Sequence, residues 1–270
     1  MLSDSSLLRY GWLLSACLPA SESKLLSNSS QHPCCYGEGR LMPVITMASP
    51  KGGCGKSTAA VILATQLAES GASVTIIDAD PNRPVSRWAA RPGKPTNLTL
   101  VDDVTEQTII RAIDDAARKT AFVIVDLEGT ASMTVVYAIS RSDLVIIPTS
   151  ASLLDAVEAV AAVQLVQRQE EAFRMKIPSA VLFTKTSAAI RTRTLTSIED
   201  ELASNDVPVF TVRLHEREAY RSIFSFGGTL SSLNPKNVRN IPAAVENAQA
   251  FAAEVIKMLK TQRAAVAAVA

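Results

Sequence analysis

Apolar residues fall along this chain in two rhythms that alternate from residue 43 onward. Short continuous apolar runs, the pattern of strands buried on both faces, predict strands at 44–48, 73–77, 122–125, 144–147, 181–183 and 209–210. Between them, apolar positions recur at three- and four-residue spacing and predict helices over 57–70, 105–119, 154–175 and 194–204. A final helix is expected from Pro242 to about Lys260, and Gly71 marks the stop of the first one. Repeated strand–helix units with wholly apolar strands predict an α/β fold: a doubly wound, mostly parallel sheet with helices on both faces. One domain is expected over 42–263, followed by a frayed Ala/Val-rich tail at 264–270.

Residues 1–41 stand apart. They are rich in Ser, Leu and Cys and carry no sustained period. Leu14-Ser15-Ala16-Cys17 resembles a lipoprotein cleavage box, but Asp4 sits where basic residues belong and Arg9 interrupts the apolar stretch. The expectation is a non-native or disordered extension, with Met42 as the natural start. Gly37-Glu38-Gly39 would be encoded by purine-rich codons, as a ribosome-binding site just upstream of Met42 would be.

Composition adds limits more than leads. Hydrophobic residues make up 47% and charged residues 20% of 270, the balance of an ordinary globule. A net charge of +1 gives no bulk attraction to nucleic acid or membrane, so any DNA-binding face must be local. No apolar run reaches the ~20 residues of a spanning helix. The four cysteines (Cys17, Cys34, Cys35, Cys54) have no metal-ligand spacing, and free thiols in a reducing, cytoplasmic compartment are expected.

The strongest chemical signal is the segment 50–58, Pro-Lys-Gly-Gly-Cys-Gly-Lys-Ser-Thr, between the first strand and first helix. Small residues let successive backbone N–H groups curl around phosphate oxygens, and the helix N-terminus adds its positive dipole end. Lys51, Gly52, Gly53, Cys54, Gly55, Lys56, Ser57 and Thr58 are therefore nucleotide-binding candidates, with Lys56 on the β- and γ-phosphates and the Ser57 hydroxyl on Mg²⁺. The strict Walker A pattern wants a glycine where Pro50 stands. Cys54 is expected simply as a small residue in the variable slot. Acidic residues end two strands: Asp78 and Asp80 after 73–77, and Asp126 after 122–125. Ligands of open α/β sheets gather beyond such carboxyl ends, where carboxylates can serve Mg²⁺ or orient water.

On these residues the chain resembles the ParA/MinD deviant Walker ATPases over nearly all of 43–260. Lys51, inside Lys-Gly-Gly-x-Gly-Lys-Ser-Thr, matches the family's second, signature lysine. Ile146-Ile147-Pro148-Thr149 and Val181-Leu182-Phe183-Thr184-Lys185 resemble the segments before the long helix and beside the base. The stretches 78–88 and 214–220 are similar to VirC-type ATPases that stimulate T-DNA transfer. The resemblance implies catalytic roles for Lys51, Lys56 and Asp80, the last positioning the attacking water. Asp78 would support Mg²⁺ and Lys56, and Asp126 matches the Walker B aspartate. Leu127-Glu128-Gly129 departs from the proline often found there, which leaves the role of Glu128 open.

The resemblance further implies an ATP-sandwich homodimer in which Lys51 crosses to the partner's nucleotide. ATP and Mg²⁺ are the implied cofactors, with slow, partner-stimulated hydrolysis, and the cargo is plasmid, chromosome or mobile-element DNA bound without sequence preference. A centromere-binding or DNA-transfer protein is the implied partner, and nucleoid association the implied location. The small residues at the C-terminus make a poor amphipathic anchor, so no membrane partner is expected. The alternative is a VirC-like scaffold that recruits DNA-processing proteins. Candidate DNA contacts are Arg191, Arg193, Arg213, Arg217, Arg221, Lys236 and Arg239, with an ordinary mixed-charge surface as the competing reading. His215 and Trp88 are expected to be structural.

Overall fold

The computed structural model describes residues 42–129, 132–187 and 193–269. The expected extension at 1–41 lies outside these, as does Arg191. Seven strands form one sheet: β1 (Val44–Met47), β2 (Val74–Ala79), β3 (Leu98–Val101), β4 (Phe122–Leu127), β5 (Leu144–Ser150), β6 (Ser179–Thr186) and β7 (Leu214–His215). Their spatial order is β3-β2-β4-β1-β5-β6-β7, and every pairing is parallel. The chain thus works outward from β1 in both directions, which makes the carboxyl end of β1 the topological switch point.

Eight α-helices cover the sheet among the described residues: α1 (Lys56–Glu69), α2 (Pro84–Ala89), α3 (Ile109–Ala117), α4 (Met133–Ile139), α5 (Leu153–Phe173), α6 (Arg193–Ser204), α7 (Glu218–Phe226) and α8 (Ile241–Val269). Successive strand residues point to opposite faces, so one strand feeds two cores. In β5, Leu144 and Ile146 join the core under α1, α2, α7 and α8, while Val145 and Ile147 join the one under α3 to α6. This explains why the strands read as unbroken apolar runs. The doubly wound expectation is met.

The structure departs from the sequence pattern at short or edge elements. β3, α2, α4, β7 and α7 are too brief for a period to stand out. Residues 209–210, expected as a strand, make only an isolated bridge, Val181 to Val209. The Glu254 carboxylate accepts from the Thr211 and Val212 amides at 2.7 and 2.8 Å, drawing the chain away from the ladder. The last helix does not stop near Lys260; the segment expected to fray continues helical to Val269. Its alanines are strong helix formers.

Candidate functional site

The phosphate loop joins β1 to α1 at the switch point. Gly53 and Gly55 hold φ of 77° and 95°, a region that costs an L side chain strain and leaves glycine free. Gly55 caps α1 without a side-chain bond, so the first amides of the helix remain available to a phosphate. Lys56 is buried, and its Nζ folds back to donate to the Lys51 carbonyl at 2.9 Å, with the Ser49 carbonyl at 3.4 Å. The loop is braced from β6: Thr184 Oγ1 lies 2.6 Å from the Cys54 carbonyl and 3.1 Å from that of Thr149, and Lys185 donates to the Gly53 carbonyl at 2.6 Å. Cys54 is buried and its thiol donates to the Lys51 carbonyl at 3.3 Å, the packing role expected of it.

The acidic residues come together through strand register. Asp126 of β4 pairs in register with Asp78 of β2 on one side and with Met47 of β1 on the other. Both Asp126 carboxylate oxygens are buried without a hydrogen-bond partner. Burial therefore pushes its pKa from 3.8 to about 7, against the Ser57 hydroxyl, with Asp78 and Asp80 adding to the rise and Lys56 opposing it. Asp78 is also buried: its Oδ2 accepts from the Ser86 amide and hydroxyl at 2.7 Å each, and its Oδ1 has no partner. Its pKa is raised by burial, with the Ser86 bonds pulling the other way. Asp80 accepts from the Asn82 amide at 2.8 Å and faces the cavity.

The orphaned Asp126 carboxylate beside the Ser57 hydroxyl suits a hard divalent cation such as Mg²⁺, which takes few protein oxygens and completes its shell with phosphate and water.

A cavity of about 910 Å³ runs from the loop to α7. Its near end is lined by Gly52, Gly53, Gly55, Lys56, Ser57 and Thr58, with Asp80, Pro81, Asn82, Glu128 and Gly129 along one side. The far end is Leu214, His215, Glu216, Arg217, Tyr220, Arg221 and Phe224. Phosphate donors together with a mixed wall, in which Leu214, Tyr220 and Phe224 stand among His215, Glu216, Arg217 and Arg221, suit a nucleotide. Gly129 allows the Asp126 loop to close on the phosphate loop: a Cβ there would meet Gly52 N at 3.0 Å and Lys51 C at 3.1 Å.

Lys51 sits differently from its loop neighbours. Its side chain is outside the cavity lining and forms an ion pair with Asp155 of the same chain. Asp155 is buried at the start of α5, where it also accepts from the Ser150 hydroxyl, while the Ser152 hydroxyl caps its amide. Sequence reasoning missed Asp155; Ser152-x-x-Asp155 before an apolar helix was the capping signal that could have found it.

The DNA candidates do not act as one set. Arg213 pairs with Glu199, and Arg221 with Glu216 at 2.7 Å. Arg217 and Arg221 line the cavity. Only the backbone of Arg193 is described, in α6; Lys236 and Arg239 are exposed. Trp88 is buried, its indole N–H donating to the Gly228 carbonyl at 3.0 Å, and His215 Nδ1 meets Thr186 Oγ1 at 2.9 Å. Trp88 is thus packed into the core, while His215 is half-buried in the cavity lining. Burial and the charges of Arg217 and Arg213 lower the His215 pKa.

A parallel doubly wound sheet, a lysine-flanked phosphate loop at its switch point and paired strand-end aspartates define a P-loop ATPase of the deviant Walker, ParA-like class. Within that class the chain belongs to the VirC1 protein family, whose model matches residues 42–264. It is 47% identical over 218 residues to Protein ParA of Rhizobium radiobacter, covering 81% of this chain and 98% of that protein. It is 31% identical over 207 residues to Protein virC1 of Rhizobium rhizogenes, covering 75% and 88%. Among solved structures, an ATP complex of Cyanothece McdA shares the fold at a TM-score of 0.65 with 18% identity, over 82% of this chain and 96% of that one. The MinD protein of Pyrococcus horikoshii with Mg-ADP does so at 0.61 with 15% identity, over 82% and 98%.

Proposed function

We propose that this chain is a MgATP-dependent molecular switch that pairs with a second copy when ATP is bound, engages DNA, and drives partition or positioning of a plasmid, chromosome or mobile element. The observation that carries this reading is the second lysine of the phosphate loop. Lys51 is absent from the lining of its own chain's cavity and pairs instead with Asp155. Once it leaves Asp155, an ammonium outside its own site can serve the site of a facing copy. This placement supports ATP-dependent self-association.

Within one chain the roles divide simply. Lys56 leaves the carbonyls of Ser49 and Lys51 for the phosphates, whose charge offsets its burial. Asp80, on a loop beside the cavity, orients the attacking water. Ser57 and Asp126 would hold Mg²⁺, which would supply positive charge to neutralise the phosphates. Slow hydrolysis, stimulated by a centromere-binding protein, resets the switch. Likeness to virC1 proteins supports a second reading: a scaffold in DNA transfer, where recruitment of a processing protein replaces nonspecific DNA binding.

Size-exclusion chromatography with ATP tests the switch. Lys56→Ala is expected to lose nucleotide binding, whereas Asp80→Ala should bind ATP and accumulate as dimer. An Asp80→Ala variant that stays monomeric at saturating ATP defeats the assignment. A gel shift with random-sequence DNA, with and without ATP, separates the readings, since the scaffold needs no ATP-dependent shift.

A further inference from the structure

The helix that follows Asp80 carries charge that the nucleotide site does not use. Between Asp80 and Asp102 the sequence has four cations, Arg83, Arg87, Arg91 and Lys94, and no Asp or Glu, in a chain whose net charge is only +1. Lys94 donates its ammonium hydrogens to the Pro95 and Leu98 carbonyls. The three arginines do not turn inward in this way. All are exposed, and none of their side chains makes a hydrogen bond or ion pair with a described residue.

Their spacing along the chain is regular. The Arg87 amide bonds the Arg83 carbonyl at 3.1 Å, and Arg91 follows α2 with its amide on the Trp88 carbonyl at 3.0 Å. Arg87 lies within α2, Arg83 is its left-handed N-cap residue (φ 48°) and Arg91 follows just past its end, so the three stand four residues apart along a segment whose Val85 and Trp88 are buried. Like charges four residues apart repel, so this arrangement opposes helix stability unless an anion is bound.

The mount is firm. Asp78 holds the start of α2 through Ser86. Trp88 is tied to Gly228, and a Cβ on Gly227 would fall 2.5 Å from that of Arg91. A fixed segment, α2 with the residues on either side of it, thus presents three exposed guanidinium groups four residues apart. A DNA strand carries one charge per ~3.4 Å of helix axis, so successive arginines reach separate phosphates.

From this we infer that Arg83, Arg87 and Arg91 form a binding ladder for the DNA phosphate backbone, on a surface separate from the candidates between 191 and 239. The inference rests on the DNA-binding reading above and supplies its contact surface. An acidic protein is the other polyanion to consider. Against it, none of the exposed large apolar side chains among the described residues falls between 81 and 101, and protein interfaces rely on such anchors. Phosphate contacts of this kind position a duplex without reading its sequence.

The test is a fluorescence-anisotropy titration of a random-sequence duplex with the full chain in MgATP, repeated across salt concentrations. The triple variant Arg83→Ala/Arg87→Ala/Arg91→Ala should bind at least about tenfold more weakly at low salt. Its slope of log K against log salt should fall by ~2–3, near 0.9 per lost phosphate contact. The corresponding triple lysine variant should keep most of the slope, because charge and not packing is at stake. Should the triple alanine variant fail to fold, Arg87→Gln alone is expected to lose about 0.9 of slope. Equal affinity and slope for wild type and the charge-removing variants overturns the ladder. A wild type with no DNA affinity overturns the ladder and the DNA reading together.

Discussion

Lys51 and Asp155, 104 residues apart, meet in an ion pair that holds the signature lysine against its own chain. The hydrogen bond to Asp155 is the main reason that the Lys51 pKa is raised, so the ammonium stays charged at any physiological pH. Any reach of this lysine toward a second copy must first break the pair.

Asp155→Asn should therefore lower the ATP concentration at which dimer appears, because the amide keeps an acceptor but removes the attracting charge. Sedimentation velocity across an ATP titration reads the shift directly. Lys51→Ala should bind ATP and remain monomeric at every concentration. If Asp155→Asn needs more ATP than wild type, Asp155 assists the dimer instead of restraining it.

The buried Asp126 predicts a pH effect. Its folded pKa of about 7 lies above the 3.8 of the free group, so its contribution to stability is fully present below about pH 4 and is lost as pH rises through 7. Without nucleotide, wild type should lose melting temperature over that window relative to Asp126→Asn. Binding of Mg²⁺ with nucleotide below pH 7 should also expel a proton. Calorimetry in buffers of different ionisation heat measures it, and Asp126→Asn should abolish the release.

Thr184→Val removes the hydroxyl that braces the phosphate loop while keeping its shape. The Cys54 carbonyl loses its 2.6 Å contact, at a cost of about 1–3 kcal/mol if it stays buried. Urea denaturation should show that loss together with weaker ATP binding. Unchanged affinity would mean that the brace serves the fold alone.

Gly129→Ala probes the closure between two loops. The added methyl meets Gly52 N at 3.0 Å and Lys51 C at 3.1 Å, so backbone must give way. A displacement approaching 1 Å in a reacting site costs about a hundredfold in rate, so kcat/KM should fall by about tenfold to a hundredfold. Circular dichroism should find the fold intact.

The phosphate loop and the doubly wound architecture were readable without coordinates because both are local statements. Glycine at a left-handed φ, a lysine and hydroxyl at set offsets, and a strand before with a helix after all lie within a short window of the chain. Short elements such as α2 and β7 escaped because a few residues carry too little period. The chain at 209–210 misled because a carboxylate from α8 competes for the amides that follow it, and no pattern at 209 announces Glu254.

By itself the sequence determined the local parts: a glycine-rich loop with two lysines between strand and helix, acids at the strand ends, and parallel strands under two helical layers. Tertiary structure alone decided the partnerships. It set Asp126 beside Asp78, gave Lys51 to Asp155, turned Arg217 and Arg221 to the cavity and left Arg83, Arg87 and Arg91 facing outward. The reason is physical: backbone sterics and hydrogen bonding act between neighbours in the chain, whereas burial and charge pairing depend on which distant segments the packed core brings together.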